Sequence, residues 1–316
     1  MHSVDIFYGD SLKKYAFPNG HPFSIARVEH FWDVLKNDVL LNYKSINVEE
    51  PVMADQNMLL TFHIPEYVNF VKNASKAGIG YLDNGDTPAF KGIFEAASTS
   101  VGSTLRALEK VMTGEINHAF NPIGGLHHAW KDKAAGFCVF NDVAIAILEA
   151  KRLGLDRILY VDIDAHHGDG VFYEFYDDPA VFIVDIHEDG RYLYPGTGFS
   201  HEIGEGDAIG TKKNIPLPIG SGLNEFREAF DQVEKFAIDV RPQIVLLQCG
   251  ADGLKGDPLT HLNYTVECHR LAIQSLHRIA HEFADGRIIA MGGGGYNLLN
   301  VTNAWMEVVV GLTMEL

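Results

Sequence analysis

A chain of 316 residues, 47% hydrophobic and 21% charged, is long enough for a large buried core and falls outside the disordered and fibrous classes. Acidic residues outnumber basic ones, 42 to 25, for a net charge of −17. That balance argues against a nucleic-acid backbone as partner and leaves room for a cationic substrate. The three cysteines, Cys138, Cys249 and Cys268, lack the paired spacing of a disulfide framework or a cysteine zinc site, so a reducing compartment is expected. The first ten residues have neither a basic nor an apolar leader region, and no apolar run reaches a membrane span. The expected location is the cytoplasm, with no membrane partner.

In chain order, nearly continuous apolar runs at 4–8, 116–123, 157–164, 180–187, 243–249 and 287–291 read as strands covered on both faces. Helical periodicity falls between them. One helix starts near Ser24 and buries Ile25, Val28, Phe31 or Trp32, and Leu35. A second carries Ala97, Val101, Leu105, Leu108 and Met112, with Gly114 as its stop. A third runs from Asn141 or Asp142 to Gly154, and a fourth carries Phe226, Phe230, Val233 and Phe236 and ends before Pro242. A fifth spans about 265–283, followed by Gly286. Strands alternating with helices predict a single α/β domain over 1–316, with a parallel sheet between two helical layers.

In such folds ligands bind beyond the carboxyl ends of the strands. Five predicted strands run into His, Asp or Tyr there: Gly-Gly-Leu-His-His at 124–128, Asp-Ile-Asp-Ala-His-His-Gly-Asp at 162–169, Asp-Ile-His at 185–187, Gly-Ala-Asp at 250–252, and Gly-Gly-Gly-Gly-Tyr-Asn at 292–297. Asp162, Asp164 and His166 alternate, which points them to one side of an extended chain. A carboxylate and an imidazole two residues apart can share a metal that a third ligand approaches from another strand, and Asp252 is the natural third. Two carboxylates and one imidazole suit Zn2+ or a similar ion, and three protein ligands leave a position open for chemistry. Each Asp alone would serve equally as a turn or helix cap.

His127 and His128 follow two glycines. Asp162 and Asp169 are placed to orient one ring each through Nδ1, which fixes the tautomer and raises basicity. Tyr296 follows four glycines and can offer its hydroxyl to an oxyanion opposite the metal. A dinucleotide loop is the competing reading of those glycines, but Asn297 stands where its last glycine belongs.

These segments, with Gly-Phe-Cys-Val-Phe-Asn-Asp at 136–142, Tyr-Pro-Gly-Thr-Gly at 194–198 and Gly-Asp-Pro at 256–258, resemble the zinc-dependent histone deacetylase family, closest to its class I and acetoin-utilisation-type members. The resemblance covers nearly the whole chain from His21. It implies the three-layer α/β/α arginase/deacetylase fold with a mainly parallel, eight-stranded sheet. It implies one Zn2+, or Fe2+ in the cell, on Asp164, His166 and Asp252, and a structural K+ at Asp162, Asp164, His166, Asp185, Ile186 and His187. His128 would be general base and then acid, supported by Asp169. His127 with Asp162 would be its electrostatic partner, and Tyr296 would polarise the acyl carbonyl. Gly136, Phe137, Tyr194 and Leu259 would wall the acyl tunnel, Asp86 would hold a peptide backbone at the rim, and Arg27 would line the product-acetate channel.

The chain departs from the family at Leu126, where an aromatic is common, at Tyr194, where Phe is common, and at Asp185, where Ser is common. The related arginase-type enzymes hold two manganese ions, and at the positions of their extra ligands this chain has Gly168 and Leu254. One metal is therefore expected. The implied activity is metal-dependent removal of acetyl or a similar acyl group from an N-acylated amine, most simply acetyl-lysine in peptides or proteins. A small acetylated amine such as an acetylpolyamine is the alternative substrate, and a silent acyl- or metal-binding module is the alternative of another class.

Overall fold

Residues 3–39 and 45–315 are described by the computed structural model, and in them eight parallel strands form one sheet. The strands are β1 (Val4–Phe7), β2 (Ile46–Glu49), β3 (His118–Asn121), β4 (Ile158–Asp162), β5 (Val181–Glu188), β6 (Lys212–Leu217), β7 (Ile244–Gln248) and β8 (Ile288–Met291). Their order across the sheet is β2-β1-β3-β8-β7-β4-β5-β6. The six strands expected from apolar runs are all present, and two more, β2 and β6, form the edges. Strand β4 ends at Asp162 rather than at 164, so Asp164 and His166 stand in the loop beyond it.

The helices are α1 (Ala26–Val34), α2 (Gln56–Leu59), α3 (Pro65–Ala77), α4 (Ile93–Thr113), α5 (Asp142–Arg152), α6 (Asp169–Glu174), α7 (Leu223–Val240), α8 (Val266–Phe283) and α9 (Leu298–Leu312). Along one face α1, α9, α8 and α7 pack side by side, while α4 and α5 pack together on the other. Strands β3, β4, β7 and β8 are buried throughout because helices cover them on both sides.

Local signals set the boundaries. Asn141 caps α5 by accepting from the Ala144 N–H at 2.9 Å, a contact worth about 1 kcal/mol. Gly114 closes α4 in the left-handed conformation. In the apolar stripe of α4, Ala97, Val101 and Leu108 are fully buried, and Leu105 and Met112 are half-buried. No helix among the described residues is long and apolar enough to cross a membrane.

Candidate active site

The centre of the sheet, β3-β8-β7-β4-β5, carries every loop expected to hold chemistry. Asp164, His166 and Asp252 converge there: His166 Nδ1 lies 3.1 Å from Asp164 Oδ1 and 3.0 Å from Asp252 Oδ2. One donor atom from each of the three falls within 4.8 Å of the others. The second carboxylate oxygens are held in place. Asp164 Oδ2 accepts from the Gln248 amide and the Gly294 N–H, both at 2.8 Å, and Asp252 Oδ1 accepts from the Ala165 N–H at 2.8 Å. Burial and the adjacent Asp164 push the Asp252 carboxyl upward. Burial opposes charge on His166, yet the two carboxylates drive its pKa well above the ordinary value. The cluster thus demands a positive charge at the point where the imidazole meets both acids. A divalent cation answers that demand, and the two-oxygen, one-nitrogen donor set is one that zinc accepts.

Beside it stand the two dyads. His127 Nδ1 is 2.7 Å from Asp162 Oδ2, and His128 Nδ1 is 2.7 Å from Asp169 Oδ1. Asp162 also accepts from the Tyr160 hydroxyl at 2.6 Å. Asp162 thus pairs with His127 and stands outside the cluster of Asp164, His166 and Asp252. Burial and the neighbouring His127 lower the pKa of His128, which keeps its ring neutral with Nε2 free to accept a proton. Burial and the nearby Asp252 hold the Tyr296 phenol well above its ordinary pKa, so it remains a donor. A cavity of about 20 Å³ lined by His127, His128, Asp164, His166 and Tyr296 is large enough for one water.

Comparison with known proteins places the chain in a family. The histone deacetylase domain, as a family profile, matches residues 21–312. The chain belongs to the histone deacetylase family. It is 40% identical to the acetoin utilization protein AcuC of Bacillus subtilis (strain 168), over 98% of this chain and 81% of that protein. It is 32% identical to histone deacetylase 6 of Arabidopsis thaliana, over 99% of this chain and 67% of that one. Among solved structures, the HDA15 HD domain superposes with a TM-score of 0.89 at 25% identity, covering 99% of this chain and 90% of its own. A deacetylase homologue from Aquifex aeolicus superposes at 0.83 and 32% identity, covering 98% and 84%. The protein is therefore a deacetylase with the arginase/deacetylase fold, in a family that generally depends on zinc.

Two of the residues that the motifs assign to an acyl tunnel, Phe137 and Tyr194, pack against the site. The Phe137 ring meets Tyr296 edge-on at 5.8 Å, and Tyr194 meets His128 edge-on at 5.1 Å. Between them Gly136 adopts a φ of +53°, and a Cβ there would stand 2.4 Å from His128 Cδ2. Only glycine lets the wall come this close to the base. Leu259 and Tyr194 are part-exposed at the mouth. Asp86 lies farther out, exposed, on a groove of about 450 Å³ shared with Asp83, Trp130, Tyr194 and Asp169. A cavity of about 690 Å³, lined by α4, α5 and the segment with Val52 and Met58, contains none of these residues.

Arg27 is fully buried and donates to the Gly293 and Gly295 carbonyls, both at 2.6 Å. It thereby fixes the glycine loop that presents Tyr296, and its Nη1 has no hydrogen-bond partner among the described residues. In the segment expected to hold potassium, Asp185 pairs with His187 Nδ1 at 2.6 Å and accepts from the Gly168 N–H at 2.8 Å. Asp185 is also the register partner of Asp162 across β4 and β5. At Gly168 a Cβ would stand 2.7 Å from Asp162 Oδ2 and 3.1 Å from His127 Nδ1.

Three positioning residues escaped the sequence reading. Asp142 accepts from the Gly125 and Leu126 N–H groups at 3.1 and 2.8 Å. Asn141 donates to the Ala129 carbonyl at 2.8 Å, so the pair holds both ends of the His127–His128 loop. Asp257 accepts from the Tyr296 N–H at 2.7 Å and from the Leu259 N–H at 2.9 Å, tying the phenol to the mouth of the slot. Asp142 and Asp257 lie inside motifs already noticed, but which backbone they grip depends on loops meeting in space.

Proposed function

We propose that the protein hydrolyses the acetyl amide of acetyl-lysine in peptides or proteins, as a single catalytic domain acting in the cytoplasm. The observation that carries this reading is the cluster of Asp164, His166 and Asp252, the first two of which line one water-sized cavity with His128 and Tyr296. A cation held by Asp164, His166 and Asp252, zinc or Fe2+, supplies Lewis acidity to the acyl carbonyl and lowers the pKa of water. His128, neutral and oriented by Asp169, takes the proton of the attacking water at Nε2 and returns it to the leaving amine nitrogen. His127, held by Asp162, lends electrostatic support to that exchange. Tyr296 donates its hydroxyl to the acyl oxygen as negative charge develops there.

The walls at Gly136, Phe137, Tyr194 and Leu259 admit an unbranched aliphatic chain, and Asp86 offers its carboxylate to the substrate's backbone N–H groups. Arg27, with its unpartnered Nη1, serves the departing acetate. A potassium ion at Asp162, Asp164, His166, Asp185, Ile186 and His187 belongs to the same reading. Its support is the crowding of buried acids: burial, then Asp185 and Asp164, push Asp162 well above the carboxylate range.

The acidic composition keeps acetylpolyamines as the second reading. Turnover of an acetyl-lysine peptide and of acetylputrescine, in the wild type and in Asp86→Ala, separates them. Peptide preference that Asp86→Ala abolishes supports the first reading. Acetylputrescine preference unaffected by Asp86→Ala supports the second.

A further inference from the structure

A second convergence of imidazoles lies at the opposite end of the sheet. His118 opens β3, whose far end leads into the catalytic loop. His277 and His281 stand four residues apart near the end of α8, the spacing that puts two side chains on one face of a helix. The three rings pack edge to face, with centroids 4.6 Å apart for His118 and His277, 5.1 Å for His118 and His281, and 4.6 Å for His277 and His281. His118 and His277 are buried, and His281 is half-buried. The Nε2 atoms of His118 and His281 are 2.9 Å apart, and one nitrogen from each ring falls within 4.8 Å of the other two. Gly286 closes over the group, so that a Cβ there would lie 2.8 Å from His281 Cε1.

We infer that His118, His277 and His281 form a second metal site, which takes one divalent cation of the zinc class. Two histidines at i and i+4 with a third from another element form a standard imidazole donor set for zinc. Zinc–nitrogen bonds of about 2.0–2.1 Å in a tetrahedron place the donor nitrogens about 3.3 Å apart. The His118–His281 pair, 2.9 Å apart at Nε2, reaches that spacing by opening a few tenths of an ångström. This donor set is neutral, whereas the catalytic one is doubly acidic, so the two sites differ in the ions they favour: imidazoles select zinc, nickel and copper over magnesium and calcium. The ion ties the start of β3 to the end of α8, far from the reacting atoms, and its role is to brace that contact.

The test uses the full chain with the catalytic donor set disabled as Asp252→Asn, so its result does not depend on the deacetylase reading. The probe is Zn2+ alone, followed by bound metal per chain after gel filtration and by the melting temperature. Asp252→Asn is expected to retain about one equivalent and to melt higher with zinc, in proportion to the logarithm of free metal. Adding His281→Gln, at the half-buried position that best tolerates change, is expected to remove both effects. His118→Gln in the same background is the second variant, with the same expected loss. Without any histidine change, the wild type takes up about two equivalents. The inference is overturned if Asp252→Asn, shown folded by circular dichroism, holds no zinc and melts unchanged. It is equally overturned if the equivalent survives both histidine substitutions, which would place the ion elsewhere.

Discussion

The floor of the slot is built from buried groups that satisfy one another, while the rim is built from exposed groups. On the floor, each histidine has its carboxylate and each carboxylate a second donor: Asp169 serves His128, Asp162 serves His127 and Tyr160, and Asp164 is gripped by Gln248 and Gly294. At the rim, Asp86, Tyr194 and Leu259 face solvent. Groups fixed by several buried hydrogen bonds keep their geometry as substrate comes and goes, which is what proton transfer requires. Exposed groups can change without disturbing that geometry, and in the proposed function they carry the choice of substrate.

The comparison is broken if floor substitutions act like rim substitutions. His128→Ala is expected to lower kcat by about 10²–10⁴-fold while bound zinc, measured by atomic emission, stays near the wild-type content. Tyr296→Phe should follow at about 10²–10³-fold in kcat, again with metal retained. An unchanged kcat in either variant would remove that residue from the reaction. Asp257→Ala releases the Tyr296 backbone and is expected to cost about 10–100-fold in kcat, with little change in melting temperature. Asp86→Ala should act in the opposite sense, raising KM for an acetyl-lysine peptide about tenfold, as loss of a charged hydrogen bond does, and leaving kcat unchanged.

The smallest effect is a pH dependence confined to the rim. Partial burial in the groove and Asp83 alongside raise the Asp86 carboxyl up to about 7. A raised carboxyl pKa means that the ionised acceptor is present above about pH 7 and is lost as the pH falls through it. KM for the peptide should therefore rise between pH 8 and 6. In Asp83→Asn the like charge is gone, and the rise should move to lower pH.

The floor was legible in the sequence because parallel strands deliver their functional residues at one edge, so five motifs in five strand ends announce a single site. The central strands were legible for the same reason: covered on both faces, they are apolar without interruption. The edge strands were not. β2 is buried only at Ile46 and partly at Glu49, and β6 is broken up by Lys212, Asn214 and Pro216. Lys212 sits in that edge by donating to the Val181 carbonyl at 2.6 Å and the Asp178 carbonyl at 3.0 Å, which no local pattern reveals. Helix α3 carried readable signals, Pro65 at its start and Gly78 at its end, but no strand-end motif drew attention to it. The grips of Asp142 and Asp257 on distant backbone N–H groups depend on tertiary contact and leave no trace in spacing.

The bare backbone at Gly168 closes one evolutionary path. A carboxylate planted there to recruit a dinuclear centre would drive its first carbon into Asp162 and His127 before it could reach any ion. Conversion toward the ureohydrolase branch of the fold thus requires the loop itself to be redrawn, not a single codon changed.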